Sequence, residues 1–161
     1  MKALPMRWIN PITIDRLLDS AVDPSISRPP SANGVYVISL MGWSSVPTKD
    51  CAPLYVGSNT SDSPLFRTRI GGLVADTFGL YTDVKNGGHH SGGQSLHKYC
   101  LESKINPKSL YIGWVEDCRC HRCAETEVWG KLEPLLNKNK PADCPKHAGN
   151  TIKECFPQSN E

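Results

Sequence analysis

GVYVISL at residues 34–40 and APLYVG at residues 52–57 decide how this chain folds. Each is rich in β-branched and aromatic residues and is bounded by turn signals, so each reads as a strand. The connection between them, MGWSSVPTKDC at residues 41–51, is long but has no helical pattern. A parallel pair would need a crossover, usually a helix, so an antiparallel pair is predicted. A third strand is predicted at SLYIGWV, residues 109–115, apolar on both faces and therefore central in the sheet.

Working outward, Ser58 to Ser63 is a polar loop, and Pro64 can open a helix whose apolar positions include Leu65, Phe66, Ile70, Leu73 and Val74. KNGGHHSGG at 85–93 reads as a glycine-rich loop, followed by a short helix over Ser95 to Ser103 with Leu96, Tyr99 and Cys100 on one side. Residues 1–31 read as an arm packed on the domain, with Pro11 in the first turn of a short helix carrying Ile14, Leu17 and Leu18. Residues 32–147 form the domain, and residues 148–161, without periodicity, form a tail. The expected fold is α/β: a small, mainly antiparallel three-stranded sheet flanked by helices.

A chain of 161 residues supports one domain. No apolar run approaches the roughly 18 residues of a membrane span. MKALPMRWINPI has no signal-peptide core, which points to the cytoplasm, with no membrane partner. In that compartment the seven cysteines read as metal ligands and reduced thiols, not as a disulfide frame. A net charge of +2 is too small to establish a nucleic-acid partner by itself.

The last third of the chain holds the densest chemistry: CRCHRCAETEVWGKLEPLLNKNKPADCPKH, residues 118–147. Cys120 and Cys123 form a C-x-x-C pair. Cys144 and His147 form a C-x-x-H pair one helix and a turn later. Two such pairs can close a four-coordinate Zn²⁺ site, with Cys118 and His121 as spare ligands; ordinary buried or free cysteines are the bland alternative. Between the pairs, Glu125, Val128, Trp129 and Leu132 share one helical face. Glu125 therefore sits among apolar residues and needs a partner, a metal or a chemical task. Glu127 lies elsewhere on the wheel, placed for a solvated pair with Lys131. Pro134 limits the helix.

The element order strand–strand–helix–helix–strand–helix carries an ordered set of residues that resembles the GIY-YIG nuclease superfamily. Gly34-Val35-Tyr36 and Tyr55-Val56-Gly57 are similar to its two-part signature. Arg69, in the string Phe-Arg-Thr-Arg-Ile, matches an arginine on the next helix, with Arg67 as the alternative. Glu125 matches a glutamate on a later helix, and Asn137 an asparagine after a leucine–proline helix end. The segment from Glu125 to Asn137 is similar to that of the excision-repair nuclease UvrC and of phage homing endonucleases. The resemblance covers about residues 33–140. The chain departs from it in its longer link between the two tripeptides, and in Leu73 or Gly71 where a Tyr or His often follows the arginine. His89 or His90 is the candidate replacement. Tyr111-Ile112-Gly113 spells the second tripeptide but follows the arginine helix, so it is not part of the signature.

The resemblance implies phosphodiester hydrolysis with one divalent cation, usually Mg²⁺, held at Glu125. Such a carboxylate suits a hard cation that keeps most of its waters. Arg69 would neutralise the phosphate oxygens, and Tyr36 (the first choice) or Tyr55 would serve as base or relay for water. His90 would assist, Asn137 would hold backbone or phosphate near the site, and Gly57 would permit close approach of the backbone. Taken singly, Tyr36 and Tyr55 are ordinary strand residues, and Arg69 is an ordinary helix charge. Lys138, Lys140 and Lys146 read as a solvated run that could also track phosphates. The expected zinc is structural and separate from Mg²⁺. The partner is DNA, with RNA also open, and specificity would come from loops 41–53 and 84–94, the arm, a homodimer or a partner subunit. Two rivals stand beside this reading: a non-catalytic nucleic-acid- or protein-binding zinc module, and a zinc hydrolase acting at the Cys/His cluster.

Overall fold

The computed structural model describes residues 6–30, 33–59, 66–80, 91–137 and 139–158. Along the chain these form β1 (Ile12–Thr13), α1 (Ile14–Asp19), β2 (Gly34–Ser39), β3 (Pro53–Ser58), α2 (Phe66–Thr77), α3 (Ser91–Ser103), β4 (Tyr111–Glu116) and α4 (His121–Leu132). Short 3₁₀ turns occur at Lys49–Cys51, inside the long link, and at Pro107–Ser109.

β2 and β3 pair antiparallel, as their connection requires, with Tyr36 opposite Gly57 and Ile38 opposite Tyr55. β4 pairs antiparallel on the other side of β2, with Tyr36 opposite Trp114. The sheet has four strands, in the order β1-β4-β2-β3, where three were expected. The additional strand is two residues of the arm, Ile12 and Thr13, set against Ile112 and Tyr111. Two residues are too short for period-two alternation to be visible, but they satisfy backbone groups on the outer edge of β4. Pro11 is not in the first helical turn. Thr13 caps α1 instead, its side chain accepting a hydrogen bond from the Arg16 N–H.

Alternation along β2 and β4 sends side chains into two cores. Tyr36, Ile38, Ile112 and Trp114 pack with α1, α2 and α3 on one face. Val35, Val37 and Val115 pack with Ala124, Val128 and Leu132 of α4 on the other. Helices thus cover both faces of the sheet, and β4 is interior, as its apolar run predicts.

α3 begins at Ser91, inside the segment read as a loop. Two tight contacts explain why. A Cβ on Gly92 would lie 2.3 Å from Tyr55 Cζ, and one on Gly93 would lie 2.5 Å from Asp76 Cβ. These glycines let a helix press onto β3 and α2, a tertiary demand that overrides their low helix propensity. The C-terminal stretch is likewise more than a tail. Cys155 and Phe156 are buried in the second core, and Trp8 Nε1 donates to the Cys155 carbonyl at 2.8 Å. Among the described residues, no helix is long and apolar enough to cross a membrane.

Candidate functional site

β3 ends at the strand position where three other elements deliver polar side chains. Tyr36 projects from β2 and Tyr55 from β3 onto the same face, their rings stacked with centroids 6.2 Å apart. Tyr36 is fully buried, whereas Tyr55 keeps partial exposure. The Tyr36 ring lies across Gly57, where an added Cβ would meet its phenol oxygen at 2.3 Å. A bare glycine at position 57 is thus a steric necessity for the Tyr36 ring. Burial, and then the neighbouring Tyr55, push the Tyr36 phenol well above its ordinary range. Burial and Glu125 raise Tyr55. Both are therefore neutral hydrogen-bonding phenols at neutral pH, which suits a relay and not a phenolate base.

The two candidate arginines of α2 separate clearly. Arg67 is exposed, and its Nε donates to the Pro29 carbonyl at 2.7 Å. Arg69 is half-buried, with a buried Nε that has no hydrogen-bond partner among the described residues. Its charge bears on the ionisation of Tyr36, Tyr55 and Glu125 alike. A buried guanidinium donor without an acceptor is costly unless an anion completes it.

Glu125, on α4, reaches the end of β3. Its Oε2 accepts a 2.6 Å hydrogen bond from the Ser58 hydroxyl, itself buried. Burial raises the carboxyl pKa, while the Ser58 hydrogen bond and the charges of Arg69 and Arg122 act in the opposite direction. Glu127 departs from expectation. Instead of a solvated pair with Lys131, its Oε2 accepts the N–H groups of Glu154 and Cys155 at 2.8 and 3.0 Å. Sequence spacing pairs it with its helical neighbour, but two unsatisfied backbone donors brought by the C-terminal stretch compete successfully.

Asn137 makes a two-point clamp on the free edge of β3. Its Nδ2 donates to the Val56 carbonyl at 2.8 Å, and its Oδ1 accepts from the Val56 N–H at 3.3 Å. Leu135 and Leu136 continue the pairing onto Pro53 and Leu54. Trp129 Nε1 donates to the Asn137 carbonyl at 2.8 Å, which ties the clamp back to α4. Asn137 therefore holds backbone near the site, and its amide is occupied. His89, His90 and Lys138 lie outside the described residues.

Cys120, Cys123, Cys144 and His147 come together, their ligand atoms all within 4.8 Å of one another. Sulfurs about 2.3 Å and a nitrogen about 2.0 Å from a tetrahedral zinc would stand about 3.8 Å (S···S) and about 3.5 Å (S···N) apart. The Cys120–Cys144 sulfurs are 3.6 Å apart, and His147 Nδ1 is 3.5 Å from the Cys123 sulfur and 3.4 Å from that of Cys144. The cluster can hold a metal ion such as zinc. Cys118 is not in it. That thiol instead lies against Cys155, whose own thiol is raised by this contact, by burial and by Glu127. His121 also stands apart, with a buried Nε2 that has no partner among the described residues.

Comparison with protein-family models, with curated proteins and with solved structures finds no match to this chain. The site rests on its own geometry. The residue that sequence reading missed is Ser58, placed in a polar loop. The only signal was its period-two spacing from Val56, which directs it toward the α4 face.

Proposed function

We propose that this chain is a divalent-cation-dependent endonuclease of the GIY-YIG type that hydrolyses DNA phosphodiester bonds and carries a structural zinc. The observation that carries this reading is the meeting of one buried-edge cation, one carboxylate and two neutral phenols at the end of β3. They come from four elements, and Arg69 bears on the ionisation of all three partners. Glu125 fits a hard cation: one oxygen is fixed by Ser58, and Oε1 has no hydrogen bond among the described residues. A single protein carboxylate suits Mg²⁺, which retains several waters.

When bound, Mg²⁺ would supply positive charge for the phosphate and a more acidic water. Arg69 would donate to the nonbridging oxygens as their charge grows, satisfying its orphaned Nε. Tyr55, the more exposed phenol, would orient the attacking water, with Tyr36 buried behind it. The water oxygen bonds to phosphorus as the bond to the leaving oxygen breaks. The water's proton passes to solvent, and the leaving oxygen takes one from solvent. Asn137 acts through the β3 backbone. With three cysteines and one histidine available, a zinc there would have a closed protein shell, which favours a structural over a hydrolytic role.

Cleavage of supercoiled plasmid with Mg²⁺, comparing the wild type with Glu125→Ala at matched zinc content, tests the proposal. The expected result is cutting by the wild type and a loss on the order of 10²-fold or more in the variant. No cutting by either, across several DNA and RNA substrates and metals, would move the reading to a binding module. Equal cutting by both would remove Glu125 from the site.

A further inference from the structure

Ser58 and Asn59 follow directly after the Tyr55-Val56-Gly57 tripeptide, and their side chains lead to two different parts of the site. The Ser58 hydroxyl donates to Glu125 Oε2 at 2.6 Å. Asn59 Oδ1 accepts the Gly34 N–H at 2.9 Å, at the start of the strand that carries Tyr36. Ser58 is 6% exposed, so water cannot readily replace its hydroxyl. A hydrogen bond spanning 67 residues in sequence is thus the direct tie between the carboxylate on α4 and the strand that carries Tyr55.

We propose that Ser58 is a positioning residue: it fixes one oxygen of Glu125 so that the other is presented to the divalent cation. The inference rests on the nuclease reading above for the cation's role. A free carboxylate on a helix samples several rotamers. One locked by a short hydrogen bond to a buried hydroxyl does not, and its free oxygen points in one direction. Outer partners of this kind typically change metal affinity by about 10- to 100-fold when removed.

The test uses the full chain with its Cys/His site zinc-loaded and Mn²⁺ as the probe, followed by electron paramagnetic resonance. Wild type, Ser58→Ala, Ser58→Thr and Glu125→Ala are titrated, with zinc content and thermal midpoint measured on each. The expected result is Mn²⁺ affinity weaker by roughly 10-fold in Ser58→Ala, near-wild-type affinity in Ser58→Thr and no specific binding in Glu125→Ala. Zinc content should be equal in all four. Mn²⁺ affinity in Ser58→Ala equal to wild type would overturn the assignment. So would a weakening accompanied by zinc loss, or one that Ser58→Thr fails to restore. Plasmid cleavage by the same proteins separates the two levels of the argument. A wild type that binds Mn²⁺ through Glu125 but cuts nothing fails the nuclease reading alone. A wild type that cuts while Ser58→Ala keeps the same Mg²⁺ dependence fails the Ser58 assignment alone.

Discussion

Gly57 and Tyr36 occupy opposite positions on paired strands, and the ring of one fills the space that a side chain on the other would take. Gly57→Ala should therefore force the phenol aside and destabilise the protein by about 2 kcal/mol, read from urea unfolding. Tyr36 also ties stability to alkaline pH. Its folded pKa lies above the unfolded value, so the unfolded state loses its proton first as pH rises. The contribution is complete below about pH 10 and falls above it, with a limiting slope of about 1.4 kcal/mol per pH unit. Tyr36→Phe should show a shallower alkaline decline than the wild type. Equal slopes would mean that another group governs it.

At the scale of elements, β3 is the edge strand that the site depends on, and the stretch from Leu135 to Asn137 covers that edge. Removing the Asn137 amide leaves the Val56 N–H and carbonyl without their partner. Asn137→Ala should cost about 1–3 kcal/mol and speed amide exchange at Val56 before it affects β2. The strands β2, β3 and β4 were legible because their patterns are long and their turns are marked. α4 was legible because Glu125, Val128, Trp129 and Leu132 repeat at helical spacing. The start of α3 was not, because Gly92 and Gly93 read locally as loop, whereas Tyr55 and Asp76 require their bareness in a helix. β1 was not, because two residues of strand have no periodicity to read.

Across the whole molecule, the Cys/His cluster joins the start of α4 to the chain well beyond its end. A metal there would close a loop around the segment that carries both Glu125 and Asn137. Metal binding to such a site is folding free energy. Stripping it with a chelator should lower the thermal midpoint by roughly 10 °C, corresponding to a loss of about 4 kcal/mol in a domain of this size. Elemental analysis of the untreated protein should give one zinc per chain. Cys144→Ala should reproduce the chelated state, whereas Cys118→Ala should keep its zinc because Cys118 lies outside the cluster.

By itself the sequence determined the strand pairing of β2 with β3, the helical face of Glu125 and the two close-spaced pairs, Cys120/Cys123 and Cys144/His147, as metal-ligand candidates. Each depends on residues close together in sequence, or on spacings set by a single element. Only the tertiary structure exposed Arg67 and half-buried Arg69, left Cys118 and His121 outside the Cys/His cluster, placed Ser58 against Glu125, gave Glu127 to the C-terminal backbone and drew Cys155 and Phe156 into the core. Those outcomes depend on which donors remain unsatisfied and which volumes remain unfilled after the sheet and helices have packed. Neither quantity exists until residues distant in sequence meet.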